Sequence, residues 1–333
     1  MNKPVFYIIF CLLAMPLFAQ TNPESENLVP NGSFEELYWC PYQIGEFTAL
    51  KDWYIIYDSP DVFNSCVSAP TYGTPQNWLG FQYPRTGNGY IGAGLYLSNE
   101  YNSWPAREMF QVKLNKKLVK GQEYCASMYV SLSDSSQYAI SNIGMYFGDT
   151  KFLPSGTMDT TLMFSLYPQV YNNSNNLLKD KDKWMKIEGS FIADGTEQYL
   201  SIGNFNRSVE IDTFSFNKYS NLGLGMAYYY FDDVEVRMCN YIEPKIKIPN
   251  VFTPNFDGVN DMFFIEIEGV SSYTMEILNR WGNLVGYLSQ EVPYWDGQNK
   301  GKRITSGVYF YKLIYTDFQF KKYQKTGFIH IFY

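Results

Sequence analysis

Helical periodicity is almost missing from this chain. No long stretch spaces its apolar residues at intervals of three and four, the pattern that one face of a helix requires. Short alternating runs rich in Tyr, Phe, Val and Ile recur instead between clusters of Gly, Asn, Pro and Ser, for example at residues 123–131, 140–147, 184–192, 198–202 and 228–236. Alternation at period two turns one side of a segment inward, and many short strands with turn punctuation predict an all-β sandwich or barrel. A jelly-roll double sheet is the expected arrangement for this number of strands. Aromatic residues make up 19% of the 333 residues and charged residues only 18%, a balance that excludes disorder. The length suits two domains, each with its own core. Glu243-Pro244-Lys245 interrupts the strand pattern, which divides a module at 27–240 from a smaller one at 249–333, with 241–248 as linker. The smaller unit has the length of an immunoglobulin-like sandwich.

Several function classes fall away on composition. The net charge of -7 leaves no basic face to neutralise phosphates, so nucleic acid is not an expected partner. The one histidine is His330, three residues from the C-terminus, and a Ser-His-Asp triad or a histidine-ligated zinc would have to be built around it. Residues 1–20 have a basic start, an apolar run from Val5 to Leu13 and a small residue at Ala19, the make-up of a secretory signal peptide. Cys11 lies inside that run and does not suit a lipid-attachment site. No other segment approaches ~18 uninterrupted apolar residues, so an integral membrane protein is not expected. Four further cysteines permit disulfides in an exported chain. Cys40 and Cys66 sit in Pro/Ser/Asn-rich loops and are the favoured pair; for Cys125 and Cys239 a bond and two half-buried free thiols are both open.

The most specific motifs are C-terminal. Ile248-Pro249-Asn250-Val251-Phe252-Thr253-Pro254-Asn255-Phe256-Asp257-Gly258-Val259-Asn260-Asp261 is followed by Asn279-Arg280-Trp281-Gly282-Asn283, Trp295-Asp296-Gly297, Gly307-Val308-Tyr309-Phe310-Tyr311 and Thr326-Gly327-Phe328-Ile329-His330-Ile331. This ordered set resembles the gliding-motility-associated C-terminal domain, the type B sorting domain of the type IX secretion system. The resemblance implies an address: export across the inner membrane by the N-terminal signal, then recognition of the folded C-terminal domain by the translocon and by an outer-membrane barrel partner of the gliding-protein family. The cell surface, the outer membrane or the medium would be the destination. Phe256 stands where the family usually has Gly. The 257–261 loop has the oxygen density of a calcium loop, or it is an Asx turn.

The N-terminal module opens with Pro30-Asn31-Gly32-Ser33-Phe34-Glu35 and closes with Tyr230-Phe231-Asp232-Asp233-Val234-Glu235-Val236. This pair of ends resembles galactose-binding-like jelly rolls, including many carbohydrate-binding modules, in which first and last strands lie close together. At period two Asp232 shares a face with Val234 and Val236, and a carboxylate beside a core needs a partner. The resemblance supplies one candidate, a structural Ca²⁺ held by Glu35, Asp232 and backbone oxygens near Ser33; backbone amides are the alternative. Phe81-Gln82-Tyr83-Pro84-Arg85-Thr86-Gly87-Asn88-Gly89-Tyr90 and Ser131-Leu132-Ser133-Asp134 look like a β-module of unassigned ligand at the front of envelope proteins from gliding bacteria.

Sugar recognition uses aromatic platforms flanked by Asn, Asp and Arg. The available large rings are Trp39, Trp53, Trp78, Tyr83, Trp104 and Trp184. Trp53 and Trp184 adjoin strands and are expected in the core. Trp78 and Trp104 sit in polar loops and, with Tyr83 and Arg85, form the expected ligand surface. A structural envelope or adhesin subunit that binds protein is the alternative. A small polysaccharide hydrolase would need two carboxylates at a defined separation, with Asp52, Asp58, Asp61 and Glu108 as candidates. The chain has no Gly-x-Ser-x-Gly elbow, His-Glu-x-x-His helix or phosphate-binding Gly loop, and a non-catalytic binding module is the expectation.

Overall fold

The computed structural model describes residues 26–98, 107–153, 166–206, 211–216 and 225–333. The signal-peptide segment and Trp104 lie outside them. Two compact units are present, Ser25–Asn240 with Phe318–Tyr323, and Tyr241–Asp317 with Gln324–Tyr333. Strands dominate both, and among the described residues the one helical turn is 3-10, at Phe47–Ala49. No helix among them is long and apolar enough to cross a membrane.

Ten strands of the first unit form two five-stranded sheets. In chain order they are β1 (Trp53–Tyr57), β2 (Asp61–Asn64), β3 (Gly89–Leu97), β4 (Met109–Lys113), β5 (Glu123–Leu132), β6 (Gly144–Gly148), β7 (Val170–Tyr171), β8 (Met185–Ile192), β9 (Tyr199–Gly203) and β10 (Met226–Met238). One sheet runs β1-β4-β9-β6-β7 and the other β8-β5-β10-β3-β2, with antiparallel pairing throughout. This is the expected jelly-roll-like double sheet. Aromatic rings join the layers: Phe110 of β4 lies 5.2 Å from Phe231 of β10 and 5.6 Å from Trp53, while Phe147 of β6 meets Phe191 of β8 at 4.5 Å. The two ends of this module lie close together as expected. Leu28 N donates to Val236 O and Val234 N to Gly32 O, each at 2.8 Å, and a Cβ on Gly32 would lie 2.2 Å from Val234 O.

β10 departs from the simple alternation. A bulge between Asp232 and Glu235 sets these residues against Tyr129 and Ser127 of β5, so one extra residue enters β10. Asp233 takes the left-handed conformation there, with φ 48°. Asp232 therefore shares the outward side with Tyr129, whereas Val236 opposes Ala126 on the core side. The expectation that Asp232 points toward Val234 and Val236 is corrected: the bulge turns them to opposite faces. A second aromatic cluster covers the outer side of this sheet, where Phe63, Leu79, Tyr90, Tyr228 and Tyr230 are buried and Trp78 and Trp184 pack against them. Hydrogen bonds link its polar atoms, with Trp78 Nε1 left without a partner. Tyr230 donates to Asn77 Oδ1 at 2.8 Å, Asn77 Nδ2 to the Tyr90 hydroxyl at 2.9 Å, and Tyr90 to Gln82 O at 3.1 Å.

The second unit centres on a five-stranded sheet of β11 (Val251–Phe252), β12 (Val270–Leu278), β13 (Leu284–Ser289), β14 (Gly307–Asp317) and β15 (Lys322–Ile331), in the order β11-β15-β14-β12-β13. Short ladders pair 245–247 with 266–268 and 263–264 with 294–295. Its core holds Phe252, Phe263, Met275, Ile277, Trp295, Leu313 and Ile331.

Candidate functional site

A loop at 38–46 lifts three rings out of the first unit: Tyr38, Trp39 and Tyr42 are 65%, 45% and 66% exposed. Such exposure of three neighbouring rings needs a scaffold, and two devices supply one. The Cys40–Cys66 disulfide, with Cα atoms 6.0 Å apart, ties the loop to the segment after β2, as expected from sequence. Beneath the rings lies the buried Glu46, whose Oε1 accepts the Trp39 indole N–H at 2.8 Å and whose Oε2 accepts Tyr42 N at 2.7 Å. Burial by itself raises the Glu46 carboxyl, but the hydrogen bonds from Tyr42 and Trp39 outweigh it and hold the group below its ordinary value. Gly45, in the left-handed conformation, donates its N–H to Asp61 Oδ1 at 2.6 Å.

Beside Trp39 lies a shallow, open depression of about 470 Å³ lined by Glu35, Leu37, Trp39, Asn64, Ser65 and Asn88. Asn64 Oδ1 is engaged by Cys66 N, and Glu35 accepts Asn88 N at 2.9 Å and Gly89 N at 3.1 Å. The polar wall is thus held by backbone contacts while Ser65 and Asn88 remain exposed. An apolar ring face next to fixed amide and hydroxyl groups matches a ligand with both C–H faces and hydroxyls.

The rings singled out from sequence fare differently. Tyr83 is 64% exposed and meets the exposed Phe81 edge to face at 5.1 Å. Arg85 stacks over Tyr129 at 3.5 Å and pairs with Asp233, so its guanidinium is already engaged. Trp78 is not an exposed platform: it packs on the outer aromatic cluster, 6.4 Å from Tyr228, with its Nε1 buried. The cause is local, because Asn77 is anchored into that cluster and draws the next residue with it. Trp53 is buried as expected, and Trp184 is half-buried against the same cluster. Sequence reasoning counted Trp39 among the available rings without assigning it to core or surface, and passed over Tyr38 and Tyr42. The available signal was Trp39-Cys40-Pro41, an aromatic residue beside a bonded cysteine.

Glu35 and Asp232 are both satisfied by amides. Asp232 Oδ2 accepts Arg85 N at 2.8 Å and Thr86 N at 3.2 Å, and its Oδ1 accepts Asp233 N at 2.7 Å. Burial, reinforced by the Asp233 charge, pushes the Asp232 carboxyl up to about 7. Ser33 sits half-buried in the turn closed by Phe34 N and Asn31 O. A calcium ion takes six to eight oxygens, whereas the lone pairs of these two carboxylates are met by N–H hydrogens. No group of three or more His, Cys, Asp or Glu able to hold a metal occurs among the described residues. The hydrogen bonds drawn to these two carboxylates are those of the amide alternative. Cys125 and Cys239, for which pairing was open, form a second disulfide with Cα atoms 5.0 Å apart. Of the four hydrolase candidates, Asp61 accepts Gly45 N and the Tyr228 hydroxyl, and Glu108 Oε2 accepts Gly94 N, so these oxygens are engaged by the fold.

In the second unit the motif residues build turns and core. Asp257 Oδ1 accepts Val259 N at 2.8 Å, and the Asp261 carboxylate accepts Phe256 N and Gly258 N at 2.5 and 2.8 Å. This is Asx-turn geometry, and Phe256, Gly258 and Asn260 all have positive φ. Phe256 therefore holds a left-handed position that Gly takes without cost, under the Arg303 guanidinium at 4.5 Å. Arg280 lies over Trp281, which is 76% exposed on a turn capped by Asn279; Gly282 there has φ 80°. Trp295 is buried and donates to Gln298 O at 2.8 Å, Asp296 accepts Gln298 N at 3.0 Å, and Gly297 has φ 75°. After Gly307, Tyr309 is buried and donates to Thr305 O at 2.8 Å.

The class defined by this geometry is a two-unit β protein in which a jelly-roll-like sandwich precedes a compact, turn-rich β domain. Residues 246–331 match the CHU_C Type IX secretion signal domain. That domain addresses the chain to the cell surface or to secretion and makes the type IX secretion system its partner. No curated protein matches the chain. Among solved structures, the chain is similar to the CBM22-1 xylan-binding domain of Paenibacillus barcinonensis Xyn10C, with 14% identity over 66% of this chain and 98% of that one and a TM-score of 0.34. It is also similar to the K1 cleaved adhesin domain of Lys-gingipain from Porphyromonas gingivalis W83, with 11% identity over 57% and 92% and a TM-score of 0.30. The N-terminal cellulose-binding domain of Cellulomonas fimi β-1,4-glucanase C gives 8% identity over 48% and 83%, with a TM-score of 0.26.

Proposed function

We propose that the chain is an exported, non-catalytic glycan-binding protein whose jelly-roll unit takes a sugar chain at the 38–46 loop and whose C-terminal unit is its export address. One observation carries the reading: the Trp39 indole, fixed by Glu46, stands exposed at the edge of a depression furnished with Asn64, Ser65 and Asn88. The pyranose C–H face stacks on the ring, and amides and hydroxyls meet the sugar hydroxyls. At the second unit, export proceeds as a type B cargo, through the translocon and an outer-membrane barrel partner of the gliding-protein family.

The test is a glycan array probed with the full mature chain and with Trp39→Ala. The proposal expects binding to one glycan class and loss of that signal in the variant, with an unchanged circular dichroism spectrum. Failure on every glycan would sink it, and co-purification of an envelope protein in its place would favour a structural subunit.

A further inference from the structure

We infer that Arg303, held between the rings of Phe256 and Tyr333, is the anchor by which the export unit grips an acidic segment of a protein of the type IX secretion machinery, with Arg280 on Trp281 as a second contact. The inference deepens the export reading and rests on it.

The anchor sits where several segments of the second unit meet. Arg303 lies over the Phe256 ring at 4.5 Å and over the Tyr333 ring at 5.4 Å. The Tyr333 hydroxyl donates to Ile304 O at 2.8 Å, and Ile304 N donates to Gly297 O at 3.1 Å, so the backbone next to the guanidinium is fastened on both sides. A Cβ on Gly297 would come within 2.9 Å of Pro254, which sets the loop of Phe256 against the same turn. Arg280, over Trp281 at 5.5 Å, belongs to a neighbouring turn, and its Nη2 stands 4.0 Å from where a Gly307 Cβ would be. Both arginines and all three rings are exposed.

Folding alone does not account for this arrangement. Phe256 has φ 67°, a conformation that glycine adopts freely and a residue with a side chain adopts at a cost. Its ring stands outside the core of the unit, and what it meets is the guanidinium. The ion pairs of the unit, Lys245–Glu268 and Lys247–Glu266, leave both arginines out, and neither arginine has a hydrogen bond among the described residues. The carboxylates of the same loops are engaged locally: Asp257 accepts Val259 N and the Asn255 amide, Asp261 accepts Phe256 N and Gly258 N, and Asp296 accepts Gln298 N. Lys300 and Lys302 add exposed positive charge beside Arg303. A guanidinium laid over rings keeps its N–H edge for a planar acceptor, and that fork matches a carboxylate bidentately. Arg, Trp and Tyr are also the side chains that dominate protein interfaces. The complement of this surface is a protein segment bearing Asp or Glu, and the match of residues 246–331 to a secretion signal domain assigns that segment to the export machinery.

The experiment measures surface protease accessibility and periplasmic retention of the full chain in a cell that carries the type IX system. Arg303→Gln is expected to lower the surface fraction by about tenfold, the scale of a lost interface arginine, and Phe256→Gly to lower it less but in the same direction. Lys325→Gln, an equal loss of charge elsewhere on β15, is expected to be displayed like the wild type. Phe256→Gly separates recognition from folding, because glycine relieves the left-handed position: its thermal midpoint is expected to equal or exceed that of the wild type while export falls. Wild-type display of Arg303→Gln or Phe256→Gly overturns the anchor, as does an equal loss in Lys325→Gln. A lowered thermal midpoint in both ring-site variants makes folding the cause and overturns it too. Normal display of a chain lacking 246–331 removes the export reading itself, whereas retention of that chain beside normal display of Arg303→Gln removes the anchor alone. On vesicles of phospholipid and lipopolysaccharide the purified wild type and Arg303→Gln are expected to behave alike; binding that Arg303→Gln abolishes would reassign the surface to lipid phosphate and refute an acidic protein segment.

Discussion

Asp232 shows how one side chain sets a solution property. It is fully buried at a bulge, beside Asp233, and its carboxyl stands near 7 because burial and that neighbouring charge both resist ionisation. A carboxyl raised in the folded state contributes stability that is complete below the unfolded value of about 4 and is lost as pH climbs toward 7. Each pH unit crossed is worth up to about 1.4 kcal/mol. Asp232→Asn keeps a carbonyl acceptor for one of the loop amides and removes the titration. Urea unfolding midpoints measured from acid to neutral pH are predicted to fall in the wild type and to change much less in the variant. Equal slopes in the two proteins would show that the carboxyl is not the group responsible.

At the scale of elements, the loop at 84–89 is pinned at both ends, by Asp232 and Asp233 at Arg85 and Thr86 and by Glu35 at Asn88 and Gly89. Amides fill the place that the jelly-roll resemblance gives to calcium. The thermal unfolding midpoint is therefore predicted to be the same in EDTA and in millimolar calcium, and a rise of several degrees with calcium would contradict the amide clamp. Much of this level was legible in the sequence: the alternating runs at 123–131, 184–192, 198–202 and 228–236 fall in β5, β8, β9 and β10. The run at 140–147 divides instead into a short strand ending at Ile140 and β6. The bulge was not legible, because a period-two pattern has no way to register one inserted residue, although the Asp232-Asp233 pair marks the spot. Trp78 was misplaced for a related reason. Loop composition predicts exposure, but it is blind to the Asn77 anchor, made by Tyr90 and by Tyr230, which lies 153 positions away.

For the whole molecule the proposed function divides the work between the two units, binding by the first and delivery by the second. The C-terminal motifs were the most legible part of the chain, since turn residues at fixed spacing carry their own conformational reasons: Asp257, Asp261 and Gly297 occupy the hydrogen-bonded or positive-φ positions that suit them. The candidate ligand site was the least legible, because it depends on which loop rings the fold leaves uncovered. A chain lacking residues 246–331 is predicted to accumulate in the periplasm, read by surface protease accessibility, and undiminished surface display would rule out the address. The reading of the molecule as a delivered glycan binder is tested most directly by calorimetric titration of the array-identified glycan into the purified full chain, Trp39→Ala and Trp281→Ala. Loss of at least tenfold in affinity, about 1.4 kcal/mol, is predicted for Trp39→Ala alone. Wild-type affinity in Trp39→Ala, or an equal loss in Trp281→Ala, would contradict it.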